Sequence, residues 1–243
     1  MDSINRYKII KKLPLGGSSV QKYIVERANK IFLLRLYDIR FMDSRYRAFN
    51  NIRILHDNGI AVPEIYDFGE LSDNKHGYAV MDWIDGVSLD NLLSDDNSIN
   101  RYGKIVAEEL FKMHNIDTNE NIDIYDKFIK SFNKKINKLK DIGIDYTSSV
   151  LESFVLDNSK VLKKLDTSII HGDFHPGNIV VNDNKVCFID LDVCKNDFAW
   201  IDLSINSCNL DYPKFYTTLI KEYFNNNIPD GFWIIYNLYG SLY

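Results

Sequence analysis

One short segment in the second half of the chain, HGDFHPGN at residues 171–178, carries two imidazoles, a carboxylate and an amide. Runs of apolar and β-branched residues flank it, with SII before it and IVV and VCFID after it. These runs predict a strand, a reactive loop and then a hairpin that turns at NDNK. Because the rest of the second half shows helical patterns, the fold must place this loop and hairpin among helices.

The first third of the chain has the opposite character, with several strand patterns and one helix. KYIVERANKIFLLRLYD predicts a hairpin, and EIYDFGEL and GYAVMDWI predict two further strands. Residues 45–57 repeat apolar side chains at helical spacing and end at an Asn-Gly pair, which predicts a helix. We therefore expect an α+β fold, with a sheet-rich N-terminal lobe at residues 1–84. The remaining residues, 85–243, form a mostly helical C-terminal lobe with the hairpin inserted.

Composition argues against several classes of function. The net charge is −5 with both signs interspersed, so no basic surface of the kind that binds nucleic acid is expected. Neither a signal peptide nor a run of about 18 apolar residues is present, and we expect a cytoplasmic protein with no membrane partner. Cys187, Cys194 and Cys208 show no paired spacing, which favours reduced, packed thiols.

A metal-dependent hydrolase is one chemistry that such a segment could serve. His171, Asp173 and His175 are spaced two apart, so on a regular strand all three would point to one side, as ligands of zinc or of a metal pair could. Gly172 and the Pro176-Gly177 pair argue against a continuous strand, and further ligands are not obvious.

Phosphoryl transfer explains more of the surrounding sequence. A kinase-type loop needs an Asp that orients the attacking hydroxyl, an Asn five residues later, and a second Asp after the following strand to hold Mg²⁺. Asp173, Asn178 and Asp190 occur in that order and with that spacing. We therefore favour phosphoryl transfer over hydrolysis.

HGDFHPGN, followed by FIDLD and NDFAWIDLS, resembles the aminoglycoside phosphotransferase and choline kinase-like superfamily. The likeness covers most of the chain: GGSSVQKYIVE resembles the nucleotide-covering loop, FLLRLYD the third strand, and YAVMDWIDGVSL the hinge. This resemblance implies a bilobal, protein-kinase-like fold. It also implies transfer of a phosphoryl group from Mg²⁺-bound ATP or GTP to the hydroxyl group of a small molecule.

The resemblance also implies roles for individual residues. Asp173 would orient the acceptor hydroxyl and accept its proton, while Asn178 and Asp190 would ligate Mg²⁺. The expected nucleotide-binding residues are Gly16, Gly17, Ser18 and Ser19 in the loop, Arg35 on the third strand, and Met81, Asp82 and Ile84 at the hinge.

Other motif residues are expected to support the catalytic loop. By resemblance, His171 would hydrogen-bond the loop backbone, while His175 and Pro176 would shape its turn. Asp197 and Asp202 would brace the loop or the start of a helix. Asp192 could either reach a second metal ion or pair locally.

Two features depart from the family pattern. The helix predicted after the third strand has no Asp or Glu from residue 44 to residue 56, so Arg35 lacks the usual acidic partner. Either phosphate and backbone alone orient Arg35, or the site is less well organised. FWIIYNLYGSLY resembles a helix that further helices follow in similar proteins, which suggests an open acceptor site, a dimer or a shortened product.

The leading acceptor is an aminoglycoside-type polyamine sugar, which would make the protein an antibiotic-resistance enzyme. The acids expected to meet its ammonium groups are Asp192, Asp197, Asp202, Asp211 and Glu222. Choline-like alcohols, macrolides, amino alcohols and sugars remain open as acceptors. A nucleotide-binding module with weak catalysis is the alternative from a different class.

Overall fold

The structure is a computed structural model that describes residues 3–14, 20–118, 120, 122–143, 149–204 and 211–242. Cys208 and the four loop residues from Gly16 to Ser19 lie outside the described residues. The chain packs as two compact units, Met1–Leu89 with Gly177–Cys194, and Asp90–Pro176 with Lys195–Tyr243. Each unit is described by itself, and the division at residues 84 and 85 stays a prediction.

The first unit contains a five-stranded antiparallel sheet in the order β1-β2-β3-β5-β4. Its strands are β1 (Lys8–Lys12), β2 (Gln21–Arg27), β3 (Lys30–Asp38), β4 (Ile65–Glu70) and β5 (His76–Asp82). Ala28 and Asn29 both have positive φ at the turn between β2 and β3, which suits a tight hairpin between twisted strands. Alternate side chains of the central strands form a core of Tyr7, Val25, Phe32, Leu34, Tyr78 and Val80.

Helix α1 (Met42–Asp57) follows β3 and begins three residues before the predicted start. Its buried residues include Phe49, Ile52 and Leu55, which repeat at the helical spacing expected from the sequence. The helix ends at Asn58, and Gly59 adopts a φ of 77° just beyond it, the left-handed conformation that often closes a helix.

A second sheet of the first unit joins the segment after β5 to the predicted hairpin. Its order is β6-β8-β9, with β6 (Val87–Ser88), β8 (Ile179–Asn182) and β9 (Lys185–Phe188). Asp183 and Asn184 make the tight turn with positive φ values. Gly86, with a φ of 151°, lies so close to this hairpin that a Cβ would stand 2.4 Å from the carbonyl oxygen of Val181. The predicted hairpin is therefore present, and by packing it belongs to the first unit.

The second unit is mostly helical. Its helices are α2 (Asp96–His114), α3 (Ile124–Asp141), α4 (Ser149–Asn158), α5 (Ile201–Ser204), α6 (Pro213–Tyr223) and α7 (Phe232–Gly240). Apolar faces of α3 and α7, with Ile170, Phe198 and Ile201, form one core cluster.

Across both units, the described residues also form short 3₁₀ turns at Ser3–Arg6, Ile39–Phe41, Leu89–Leu92, Ser159–Lys164 and Pro176–Asn178. Among the described residues, no helix has both the length and the apolar character needed to span a membrane.

Two predictions for the second unit need correction. Beside β7 (Ser168–Ile170) lies an unpredicted strand, β10 (Lys195–Asp197), which pairs antiparallel with it. The strand was missed because KND has no apolar alternation and is defined by its pairing with β7. Apolar and lysine-rich positions alternate at helical spacing over residues 149–165, which predicts one helix there, but α4 ends at Asn158 and the chain continues as a 3₁₀ turn. The α+β fold class is nevertheless confirmed.

Candidate active site

The hairpin of the first unit places the two predicted Mg²⁺ ligands at one end. Ile179 pairs with Phe188, and the N–H of Ile189 donates to the carbonyl oxygen of Asn178 over 2.9 Å. Asn178 therefore lies beside the residue that precedes Asp190. An amide oxygen and a carboxylate are hard oxygen donors of the kind Mg²⁺ prefers, so this pair fits the predicted ion.

Asp190 has an unusual backbone conformation, and its side chain contacts two cations. Its φ is 61°, in the left-handed region that few residues other than glycine enter, although Asp is one that does. Arg35 Nη2 donates to its Oδ1 over 2.7 Å, and Lys22 Nζ donates to its Oδ2 over 2.9 Å. Burial alone would raise the pKa of Asp190, but Arg35 and Lys22 outweigh it and lower the pKa to about 2. Asp190 is therefore ionised at neutral pH.

Arg35 is the buried cation of this site, with 2% of its surface exposed. Besides Asp190, its Nη2 donates to Oδ2 of Asp192 over 2.6 Å. Burial opposes the charge of Arg35, but Tyr37 and the two carboxylates raise its pKa. Its Nε is buried and finds no hydrogen-bond partner within the described parts of the chain.

The expectation that Arg35 lacks an acidic partner is wrong. Helix α1 supplies no acid, as the sequence showed, but Asp190 and Asp192 supply two from the segment after β9. Sequence reasoning looked for the acid on the helix that follows Arg35, whereas both partners lie about 155 residues further along. The sequence feature that indicates these partners is the pair of acids two residues apart in FIDLD.

Asp192 pairs locally. Its second oxygen, Oδ1, accepts the hydroxyl of Tyr37 over 3.1 Å, and Arg45 of α1 donates to its backbone carbonyl. The Arg45 guanidinium also lies 5.3 Å from the centre of the Tyr37 ring. Burial raises the pKa of Asp192. Both of its carboxylate oxygens are engaged, which favours the local role over ligation of a second metal ion.

The predicted hinge follows β5. Met81 is buried and lies opposite Leu33 of β3 and Ile65 of β4. The carboxylate of Asp82 accepts the N–H of Glu64 and the Tyr66 hydroxyl, and its own N–H donates to the Glu64 carbonyl. These bonds tie the Asp82 side chain to the segment leading into β4. A base-reading role for the backbone at Asp82 and Ile84 stays a prediction.

The catalytic loop of the second unit begins where β7 ends. Asp202 is fully buried and accepts two backbone N–H groups, from His171 over 2.7 Å and from Gly172 over 2.8 Å. Asp173 is exposed, and its own N–H donates to Nδ1 of His171 over 3.3 Å. The predicted bracing role of Asp202 and the predicted backbone contact of His171 are both confirmed.

A buried network extends this brace into the helices. His114, at the end of α2, places Nε2 3.1 Å from Asp202 Oδ2 and Nδ1 2.9 Å from the Tyr223 hydroxyl of α6. Burial alone would raise the pKa of Asp202, but the hydrogen bond and charge of His114, the charge of His171 and the Gly172 N–H lower it. Asp202 is therefore a buried anion that fixes the loop carrying Asp173.

The acids proposed to meet an ammonium-bearing acceptor are largely engaged elsewhere. Asp192 and Asp202 have the internal partners described above. Asp197 is buried, with Oδ2 lying 2.7 Å from Lys127 Nζ and 3.4 Å from Lys195 Nζ. This part of the acceptor prediction is wrong for those three residues, and of the five only Asp211 and Glu222 lie on the surface or half-buried.

The metal-hydrolase interpretation also fails on geometry. His171, Asp173 and His175 do not follow one another along a strand, since β7 ends at Ile170. His171 is fully buried and uses its Nδ1 within the loop. Within the described ranges, no group of three or more His, Cys, Asp and Glu side chains could hold a metal ion.

Many solved structures share this fold, and the three described next are distant in sequence. A thermostable mutant of aminoglycoside phosphotransferase APH(4)-Ia superposes with a TM-score of 0.72 at 14% identity, over 99% of this chain and 86% of that one. The streptomycin–ATP complex of APH(2")-IIa gives 0.68 at 16%, over 93% and 81%. The GDP and kanamycin complex of APH(2")-IIia gives 0.73 at 13%, over 98% and 86%.

Sequence comparison gives the family. No curated protein sequence matches the chain significantly. A family model described as the phosphotransferase enzyme family matches residues 10–227, most of the chain. The chain therefore belongs to the phosphotransferase enzyme family and is a small-molecule kinase.

Proposed function

We propose that this kinase transfers the γ-phosphoryl group of ATP or GTP to a hydroxyl group that Asp173 orients, with Mg²⁺ held by Asn178 and Asp190. One observation carries the proposal. Arg35 and Asp190 were assigned from separate motifs, one as the phosphate-binding cation and the other as a metal ligand, and they meet at 2.7 Å in the first unit. The loop residues Gly16, Gly17, Ser18 and Ser19 complete the proposed nucleotide site.

Each part of the proposed reaction is assigned to particular residues of the chain. The Asp173 carboxylate accepts the proton of the acceptor hydroxyl as that oxygen bonds to the γ-phosphorus. The bond from this phosphorus to the bridging oxygen breaks, and ADP or GDP leaves. Arg35 offers a fixed guanidinium to the phosphates, whose geometry it matches with paired donors. Mg²⁺, when bound, neutralises phosphate charge.

The brace at Asp202 explains why Asp173 is suited to this task. Two backbone N–H groups adjoining Asp173 are bound to a buried carboxylate, so the loop has little freedom. Positioning supplies much of the rate enhancement in phosphoryl transfer, since the protein does little covalent chemistry itself. A fixed loop with an exposed Asp meets that requirement.

An aminoglycoside is the acceptor we propose first. The second unit carries 20 acidic and 15 basic side chains and the first unit 14 of each, so the net charge of −5 belongs to the second unit. This charge favours an acceptor with ammonium groups. The internal pairing of Asp192, Asp197 and Asp202 favours the second candidate, a less cationic alcohol such as a sugar, a macrolide or an amino alcohol.

An acceptor panel tests this proposal. Purified protein would be incubated with ATP or GTP, with and without Mg²⁺, and with aminoglycosides, choline-like alcohols, macrolides and sugars. We expect Mg²⁺-dependent phosphorylation of one class. Asp173→Ala should lower the transfer rate by at least about 100-fold and leave nucleotide affinity unchanged, because it removes only the hydroxyl-orienting group.

The exposed Asp141→Ala, at the end of α3, serves as the matched control and should transfer at the wild-type rate. Equal transfer by Asp173→Ala would reject the assigned role of Asp173. Nucleotide binding without transfer to any acceptor would instead favour the binding-module alternative.

A further inference from the structure

Lys22 on β2 lies beside the proposed phosphate-binding cation. The Cα atoms of Lys22 and Arg35 are direct partners in the antiparallel ladder of β2 and β3. Directly opposed residues of such a pair project from the same face of the sheet, with Cβ atoms about 4.5–5.5 Å apart. Both side chains reach the same carboxylate, that of Asp190. The sheet thus presents two cations, not one, to the proposed nucleotide site.

The two cations differ in how firmly they are held. Arg35 is buried and donates to both Asp190 and Asp192, so it keeps an anionic partner if Asp190 is engaged elsewhere. Lys22 is partly exposed, at 23% of its side chain, and Asp190 is its one side-chain partner among the described residues. The charge balance of Lys22 therefore depends on Asp190 alone.

Ligation of Mg²⁺ by Asp190 competes with this arrangement. Both of its oxygens now accept a cationic donor, and a Mg²⁺ ion bonded to either oxygen would repel the cation beside it. Lys22 is the partner that can leave, because its ammonium sits on a flexible four-carbon stem and it is the more exposed of the two. A released ammonium beside a triphosphate has a new anionic partner within reach, since lysine binds phosphate as a point charge.

We propose that Lys22 is a second phosphate-binding residue, which pairs with Asp190 in the free protein and moves to the triphosphate when Asp190 ligates Mg²⁺. This inference rests on the proposed function and gives a role to Lys22, which lies within GGSSVQKYIVE but to which the resemblance assigns none. Lys22 in this way joins Arg35 in balancing the two carboxylates, Asp190 and Asp192, before the nucleotide arrives. It then offsets phosphate charge after binding.

Binding measurements on Lys22→Met test the exchange. Calorimetry would follow adenylyl and guanylyl imidodiphosphate, together with adenosine and guanosine as probes without phosphate. With Mg²⁺, we expect Lys22→Met to bind the better triphosphate analogue at least about tenfold more weakly than the wild type, as for loss of a charged hydrogen bond. Nucleoside affinity should be unchanged, and Lys22→Arg should largely restore binding.

The loss should be smaller in EDTA, where Lys22 stays paired with Asp190. Lys11→Met on the neighbouring strand β1, where Lys11 is exposed, is the control and should bind like the wild type. Unchanged triphosphate affinity in Lys22→Met would overturn the proposal, and so would an equal loss of nucleoside binding or an equal loss with and without Mg²⁺. A wild-type protein that binds no triphosphate would overturn the proposed function as well, which separates the two failures.

Discussion

The buried side chain of Asp202 contacts both the catalytic loop and a helix of the second unit. It accepts the N–H groups of His171 and Gly172 and contacts His114, which in turn meets Tyr223. A buried anion is tolerated only where hydrogen bonds and opposite charge replace the lost water. Removing its charge should therefore affect both the stability of the second unit and the geometry of the loop.

Asp202→Asn tests this role. We expect the free energy of unfolding at pH 7 to fall by about 3–5 kcal/mol, because the substitution breaks a buried charged network. Transfer should fall as well, since the loop that carries Asp173 loses its brace. Chemical denaturation and the transfer assay measure the two effects, and the exposed Asp157→Asn of α4 is the control. Wild-type stability in Asp202→Asn would contradict the assigned brace.

The same residue predicts a pH dependence. The pKa of Asp202 is lower in the folded protein than the ordinary 3.8, so its stabilisation is complete above that value and is lost as pH falls through the folded pKa. The unfolding free energy of the wild type should decline below about pH 4. Asp202→Asn should show a shallower decline over the same range, and an identical decline would assign the effect to other carboxylates.

Short-range spacing made some of these residues predictable. Asp173, Asn178 and Asp190 are assigned because the chemistry fixes their separation along the chain, and their roles stay predictions, whereas the brace at Asp202 is indicated by resemblance. The partners of Arg35 and of Lys22 were not predictable in this way. Their contacts join strands β3 and β2 to a segment 155 to 168 residues further along, and no local pattern encodes such a pairing.

At the scale of elements, the hairpin β8–β9 is the part that carries Asn178 and Asp190. It is anchored on β6, where Val87 pairs with Val181. Gly86 lets the two segments approach, since any side chain there would meet the Val181 carbonyl at 2.4 Å. Its φ of 151° is also rarely adopted by residues with a Cβ.

Gly86→Ala should therefore displace the hairpin. We expect a loss of about 1–3 kcal/mol in the free energy of unfolding, from backbone strain and overpacking, together with weaker nucleotide binding. Gly231→Ala is the matched control, because a Cβ at Gly231 meets nothing within 4 Å and its φ is −75°. Equal stability of the two variants would show that Gly86 and the Val181 carbonyl do not pack closely.

Elements were predictable where the sequence repeats. Strands β2 to β5 and helix α1 follow period-2 or helical patterns of apolar residues, and their bounds were predicted to within about three residues. Strand β10 and the 3₁₀ turn after α4 were not predicted. Both are short, and tertiary pairing or packing outweighs local preference in such segments.

For the whole molecule, the family match over residues 10–227 and the two compact units agree with a small-molecule kinase. The network of Arg35, Lys22, Asp190 and Asp192 lies wholly in the first unit, whereas Asp173 and its brace lie wholly in the second. The residues proposed to bind the nucleotide phosphates and the residue proposed to orient the hydroxyl therefore lie in different units. A substitution in the first unit should therefore change nucleotide binding, whereas a substitution of Asp173 in the second unit should lower transfer without changing nucleotide binding.

The central claim is that Asp190 ligates the Mg²⁺ required for phosphoryl transfer. The most direct measurement is the rate of γ-phosphoryl transfer as a function of Mg²⁺ concentration, for the wild type and for Asp190→Asn. The wild-type rate should rise with Mg²⁺ and saturate, and Asp190→Asn should transfer at least about 100-fold more slowly at the same concentrations. If Asp190→Asn transfers the phosphoryl group at the wild-type rate and with the same Mg²⁺ dependence, the claim that Asp190 ligates Mg²⁺ is contradicted.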